Sequence, residues 1–446
     1  MYSGINNLAS KYLPSWMYHR LIGRWNSDGF KRYTANTSWA LFSRVLSIVV
    51  AFFVTIYLVR YLGPENYGQL SYAVSFVGLF SIISTLGIDN ILYRDLIRFP
   101  EKRNAYLGSA LIIKLWAGSI AAALTIAIAF IFSQDDVSQL IILMLSGTFI
   151  FNAFNVVSYE FQANVAQKYI SVITFIVVIV LNVLKLMVIF LGGGILYIGI
   201  ILLFEAVLYA VLLIYIRIQH YGSMLAWYFD KKIAVELLRD SWPFIFIAAF
   251  TTIYVRIDQV MLKPLVDSSA VGLYDAAVRI AEVWLFVPAI IASSLFPAIV
   301  NAKAIGQNEY KKRLILLAMF MVSIGVAIAL PLSLFAEPLM VLLYGPAFAA
   351  SATVFAVYVW AGVWASLDIV TRYFLIAENR RVLIFTTSFL TAALNVLLNF
   401  YLIPRFGIVG AAWSTFISYA ILALPFILIV RLQGQENNPP KSLHTQ

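Results

Sequence analysis

TSWALFSRVLSIVVAFFVTIYLVRYLGPENYGQLSYA, residues 37–73, decides the fold class. Between Arg44 and Arg60 this stretch carries no charged residue. At ~1.5 Å per helical residue, the run from 37 to 60 is long enough to cross a hydrocarbon core about 30 Å thick. The Gly-Pro-Glu-Asn that follows breaks the helix, and a second apolar run begins near Gly68. The stretch therefore reads as a membrane-crossing helix, a tight turn and the start of another. An arginine, Arg44, sits inside the first apolar run.

The same alternation of apolar runs and breakers fills the chain. Further spans are predicted at 68–90, 107–133, 137–161, 169–191 and 195–218, then at 241–262, 270–300, 314–336, 349–374, 382–403 and 409–430. Composition agrees, with 62% hydrophobic and 12% charged residues and a mean hydropathy of +0.89, against about 45–50% and about 25% in soluble domains. The fold class is an all-α membrane protein of about twelve transmembrane helices. Links between spans are short, and none holds a globular catalytic domain. The net charge of +10 is no sign of nucleic acid, because the basic residues sort into alternate loops. With the N-terminus inside, one side holds roughly twenty-two Lys and Arg and the other about three, Arg60, Lys263 and Arg405. This asymmetry predicts a multi-pass protein of a cytoplasmic membrane, bacterial or archaeal, with both termini cytoplasmic.

The chain has no cysteine, which excludes disulfides and thiol chemistry. Its start lacks a continuous apolar h-region, so no cleaved signal peptide is expected. No cofactor or metal site is expected either. No Gly-Lys-Ser or Gly-Lys-Thr occurs, so ATP is not the direct driver in this chain.

The two halves echo each other. LNVL at 181–184 recurs at 394–397, and at the same offset Gly194-Ile195 matches Gly407-Ile408. Ser38-Trp39 matches Ser241-Trp242, and Tyr67-Gly68 opens the second span where Val271-Gly272 opens the eighth. An even number of spans per unit makes the repeats parallel, which suits two six-helix lobes around a central cavity. The expected division is an interfacial segment at 1–35, a first lobe at 36–219, a linker at 220–240, a second lobe at 241–432 and a polar tail at 433–446. Within the first segment, residues 8–26 read as an amphipathic helix on the anionic leaflet, set against a flexible basic lead-in.

Six cations fall inside spans: Arg44, Lys114, Lys185, Arg256, Arg279 and Arg372. A cation at membrane depth costs roughly 2.5–3.5 kcal/mol on insertion scales, so each needs a partner, a wet cavity or an anionic cargo. Arg44, Arg256 and Lys185 have no acid one turn away and are candidates for an anion path. Arg279 has Asp275 at i−4 and Glu282 at i+3, and Arg372 has Asp368 at i−4, so these read as structural pairs or as a coupling network. Lys114 is placed to snorkel to the interface. Asp258 lies roughly 200° round the helix from Arg256 and faces other surroundings. Glu205 has no cation within its own helix, which suits ion coupling or a hydrogen-bonded structural role. Asp258, Asp275, Glu282 and Asp368 are the other coupling candidates. Asn182, Asn395 and Asn399 are expected to bond between helices. Pro288, Pro297, Pro331 and Pro425 are expected bend points. Asp135-Asp136 reads as a solvated turn.

Four segments together resemble the polysaccharide-type flippases of the multidrug/oligosaccharidyl-lipid/polysaccharide exporter superfamily. They are residues 37–73, with the RYLGPENYG turn, GLYDAAVRI at 272–280, LLYGPAFAASATVF at 342–355 and LNVLLNFYLIPRFGIVGAAW at 394–413. The resemblance implies two lobes in a V and movement of an undecaprenyl-diphosphate-linked oligosaccharide, such as an O-antigen or capsule repeat, to the outer leaflet. It also implies membrane lipids, a H⁺ or Na⁺ gradient, and polysaccharide polymerase and chain-length regulator proteins as partners. Two other functions compete: a multidrug-type exporter, which the excess of intramembrane cations disfavours, and a membrane polymerase or glycosyltransferase, for which no paired carboxylates stand in a suitable loop.

Overall fold

The computed structural model describes residues 28–132, 135–378 and 380–436, and every regular element among them is helical. The expected helix over 8–26 lies outside these residues, as does the tail from 437. The opening stretch folds as one helical run, Asp28–Thr85, whose 58 residues would make a rod of about 87 Å if straight. Gly63 breaks it, with φ 70° and ψ 173°. In that region a Cβ is strained, and Pro64 next to it needs no N–H at the first turn of the new helix. The run is therefore a hairpin of α1 (28–62) and α2 (64–85).

The first lobe continues with α3 (Asp89–Arg98), α4 (Arg103–Phe132), α5 (Asp136–Ser146), α6 (Thr148–Asn152), α7 (Val156–Ala163), α8 (Gln167–Phe190) and α9 (Ile195–Tyr221). The second holds α10 (Lys231–Leu265), α11 (Ser268–Val283), α12 (Phe286–Ile305), α13 (Gln307–Leu334), α14 (Ala336–Tyr344) and α15 (Ser351–Ala377), then a second hairpin, Arg381–Glu436, broken at Gly407 into α16 (381–406) and α17 (408–436). Among the described residues, ten helical stretches are long and apolar enough to span, and two of them, Leu46–Arg98 and Val382–Ala423, contain a hairpin. Twelve crossings result, six in each lobe. Segments α5 to α7 form one interrupted crossing, and so do α11 and α12.

The α11–α12 break has a local cause. Pro288 has no N–H to offer the Trp284 carbonyl four residues back, and that carbonyl instead takes the Val287 N–H at 3.0 Å. At Pro331 the helix runs on to Leu334, so no break follows there. Pro297 and Pro425 have side chains outside the described set. Helix α10 begins at Lys231, inside the stretch read as a linker, because Asp230 caps it by accepting the Lys232 N–H at 2.8 Å. Helix α17 runs through Gly434 to Glu436, beyond the expected start of the tail. One glycine in a last turn costs about 1 kcal/mol, too little to stop it.

The lobes meet chiefly where the α1–α2 hairpin lies against α10 and α11. Past the break at Trp284, α12 packs mainly on α13 and α15 of its own lobe. The lobes thus touch closely at the end away from the basic loops, and at the basic end the first turns of α10 also reach the first lobe.

Candidate functional site

The lobes approach most closely through the two glycines that the repeat aligns. A Cβ on Gly68 would overlap the Ser268 carbonyl and stand 2.9 Å from the Gly272 nitrogen, and one on Gly272 would overlap the Pro64 carbonyl. This near-contact of backbones sets α2 against α11, as small residues do in membrane bundles. Just below it, Asp275 is 2% exposed and belongs to both lobes. It accepts bonds from the Tyr67 hydroxyl and from the Ser71 hydroxyl at 2.6 Å, both on α2. It also accepts from Gln259 Nε2 at 2.8 Å on α10 and from Arg279 Nε at 2.8 Å. Gln259 in turn accepts from the Ser75 hydroxyl, again across the lobes.

A third tie closes the same end. Lys263 donates to Asp135 at 2.9 Å and to Ser138 at 2.6 Å, and its ammonium lies 4.4 Å from the Tyr72 ring centroid. Asp135 is therefore an inter-lobe anchor rather than a solvated turn. It is read from the sequence as exposed because its partner is 128 residues away. Burial works to raise the Asp135 carboxyl, but the Ser138 hydroxyl and the Lys263 ammonium outweigh it and hold the group below its ordinary value. A depressed carboxylate contributes stability above its unfolded pKa of ~3.9 and loses it as pH falls through the lower, folded value. This tie is accordingly intact at neutral and mildly acidic pH.

The intramembrane cations separate by environment. Lys114 is buried and paired with Asp89, with Tyr159 alongside at 5.5 Å, so it does not snorkel. Its partner stands at the start of α3, in a stretch the sequence places at the end of a span. Arg372 is held by Asp368 at 2.6 Å and donates to the Tyr254 hydroxyl at 3.1 Å. Arg279 pairs with Asp275, not Glu282, and 42% of its side chain stays accessible. Glu282 instead accepts from the Tyr358 hydroxyl at 3.1 Å and interacts electrostatically with Arg256. Arg256 and Lys185 are half-buried and make no ion pair among the described residues. Lys185 lies within electrostatic reach of both Glu205 and Arg279. Glu205, without a cation in its own helix, thus has one from α8. Arg44 lies on α1, with its side chain outside the described set.

Asp258 sits elsewhere, inside the second lobe and 3% exposed. It accepts from the hydroxyls of Tyr274 and Thr415 and from Asn399 Nδ2. Asn399 also donates to Asn395 Oδ1 at 3.1 Å. Asn399 Oδ1 is buried with no hydrogen-bond partner. Such an orphan is costly unless a ligand uses it. Asn182, the repeat equivalent of Asn395, bonds only its own helix, to the Val178 carbonyl at 2.7 Å, because Leu186 stands where the second lobe has Asn399. The polar cluster thus belongs to one lobe.

Tyr67, Ser71, Ser75, Gln259, Tyr274 and Thr415 carry no sequence signal of their own. The aligned words Tyr67-Gly68 and Val271-Gly272 were the one available pointer. Among the described residues, no group of three or more His, Cys, Asp or Glu is placed to hold a metal ion.

Residues 33–303, well over half of the chain, match the family described as Polysaccharide biosynthesis protein. The chain belongs to that family. A probable flippase, AglR of Haloferax volcanii, is 27% identical over 194 residues, 42% of this chain and 40% of that protein. The chain thus matches about two fifths of that relative's length. Among solved structures, an inward-facing multidrug resistance MATE transporter of the MOP superfamily superposes with a TM-score of 0.71 at 13% identity, over 87% of this chain and 95% of that one. The Lipid II flippase MurJ, in an inward closed conformation, superposes with a TM-score of 0.68 at 14% identity, over 89% and 87%. These two likenesses bear on the fold alone.

Proposed function

We propose that this protein is a flippase that carries a lipid-linked, anionic oligosaccharide across the membrane by alternating access between its lobes. The observation that carries the reading is the pair of cations without ion-pair partners, Arg256 and Lys185, of which Lys185 lies within electrostatic reach of Arg279 and Arg256 within reach of Glu282. In a low-dielectric surround, cations left unpaired by the protein favour a phosphate-bearing cargo over a cationic one. The cargo's sugars need hydrogen-bonding walls, and the half-buried Glu205 and Glu282 supply them, while its hydrocarbon tail stays in lipid. An undecaprenyl diphosphate carrying an O-antigen, capsule or exopolysaccharide repeat fits this description. The protein would work in the cytoplasmic membrane with both termini inside, and the match to the family described as Polysaccharide biosynthesis protein supports a role in glycan assembly.

Coupling to an ion gradient follows from how α10 and α11 are joined. Two neighbouring residues on each helix form two rungs. Asp258 with Tyr274 faces the interior of the second lobe, and Gln259 with Asp275 faces the first lobe. An ion that recruits Asp258 and the free Asn399 oxygen alters the Tyr274 rung. The latch one residue away then feels the change. A set made only of oxygens suits Na⁺, and a proton on Asp258 is the competing reading.

Arg256→Ala is expected to abolish surface glycan in a strain lacking its own flippase, with membrane abundance unchanged, and Arg256→Lys to restore part of it. The readout is the glycan restored by each variant. Normal glycan with Arg256→Ala would remove Arg256 from the cargo path.

A further inference from the structure

An open apolar groove lies where α2, α4 and α10 meet. Its walls are Ile83 of α2, Leu86 in the turn after it, Ile112, Ile113, Trp116 and Ile120 of α4, and Leu238 of α10, around a cavity of about 640 Å³. Ala117 and Phe229 complete the lining. From 112 to 120 the groove runs on the order of 12 Å along α4, in the leaflet nearer the basic loops.

Helix α10, which gives Leu238 to the groove, also carries a cationic cluster. Lys231, Lys232 and Arg239 line one surface cleft together with Val235 and a single acid, Glu236. Lys231 and Lys232 make no ion pair among the described residues, and Arg239 has only Asp240 at 3.9 Å. Lys231 and Leu238 are seven residues apart, which puts them ~20° apart round α10 and ~10 Å apart along it. A hydrocarbon chain lying in the groove would thus bring its headgroup to Lys231.

The groove lies at the junction of the two lobes. A Cβ on Gly87 would stand 3.1 Å from the Ile245 nitrogen and 3.2 Å from the Phe244 Cβ, so α2 and α10 close on each other behind it. The same part of α10 is fastened to the first lobe. The Asp230 N–H donates to the Ser109 hydroxyl at 2.9 Å, and Arg94 donates to Asp240 at 2.9 Å.

We propose that this groove is a binding site for one chain of an anionic phospholipid, whose phosphate is held by Lys231, Lys232 and Arg239. Seated there, the lipid packs the first turns of α10 onto α4 and acts as a resident component of the first lobe, not as cargo. The site needs no translocation and is independent of the flippase reading.

Native mass spectrometry of the purified full chain, delipidated and then supplied with phosphatidylglycerol or phosphatidylcholine, tests the assignment. The wild type should retain one phosphatidylglycerol in preference to phosphatidylcholine. Combining Lys231→Gln, Lys232→Gln and Arg239→Gln should erase that preference, each charge near a membrane surface contributing about fivefold. These residues are at the surface, so the variant tests the headgroup contact without disturbing the core. Ala117→Leu, which fills the groove floor, should reduce retention of both lipids. Equal retention of the two lipids by the wild type, or undiminished phosphatidylglycerol preference in the triple variant, would overturn the proposal. So would displacement of phosphatidylglycerol by a polyprenyl diphosphate lipid, since the groove would then belong to the cargo.

Discussion

Gly272→Val is expected to leave the protein folded and inserted but unable to translocate. The native backbones of α2 and α11 leave no room for a Cβ at this position, and the atoms in the way are the Pro64 carbonyl and the Gly68 nitrogen, 3.0 Å off in the second case. Backbone cannot swing aside as a flexible side chain can. Overpacking even in adaptable cores costs ~1–3 kcal/mol, which already shifts a two-state balance about 5- to 150-fold. The clash affects only the state in which this end is shut, because lobes that part there have no overlap to relieve. The chain has no cysteine, so spin labels can be placed on cysteines introduced at Glu65 and Val266 without background. Both positions are exposed at the closing end. Double electron–electron resonance should show a dominant short distance in the parent protein and its loss in Gly272→Val. Tyr67→Phe combined with Ser71→Ala should act in the same direction. Two hydrogen bonds to a charged carboxylate, at ~1.5–3 kcal/mol each, would no longer hold the lobes together. An unchanged distance distribution in Gly272→Val would refute the latch.

Asp258→Asn is expected to uncouple the machine while keeping its shape. The amide fills the same volume and can still accept from Tyr274 and Thr415, but it cannot attract a cation. Losing the single charge in the cluster should weaken ion binding roughly 10- to 100-fold, the equivalent of the ~1.5–3 kcal/mol usual for interactions with a charged group. In proteoliposomes, stimulation of transport by an imposed Na⁺ gradient should vanish in Asp258→Asn. Stimulation that follows the pH gradient instead, in the parent protein, would assign the site to a proton. Gradient-stimulated transport unchanged in Asp258→Asn would exclude this cluster from coupling.

The crossings are legible in the sequence because hydropathy and breaker residues act locally. Gly63 next to Pro64 marks the first hairpin without reference to anything distant. The latch is not local. Asp275 finds Tyr67 across 208 residues, and neither residue type at its position announces the other. Only the internal repeat, which sets Tyr67-Gly68 against Val271-Gly272, hinted that these segments face each other. Asn182 and Asn395 show the limit of that hint, since the same word LNVL leads to an intrahelical bond in one lobe and to the Asp258 cluster in the other. Asp258, Asn395 and Asn399 each drew notice, but their meeting with Tyr274 and Thr415 depends on how α10, α11, α16 and α17 pack. Sequence spacing sends Lys114 to the interface because Asp89 lies on a separate helix, 25 residues before it. Intrahelical spacing sees partners one turn away and nothing beyond.

The central claim is that the cavity selects an anionic, lipid-linked glycan. Its most direct test is translocation in proteoliposomes that hold the purified protein and a fluorescent polyprenyl-diphosphate oligosaccharide, run beside the same glycan on a neutral lipid without phosphate. The account predicts translocation of the diphosphate lipid under an ion gradient, little or none of the neutral one, and loss of that difference in Arg256→Ala. Equal translocation of both lipids, or of neither while a cationic amphiphile is exported, would contradict it.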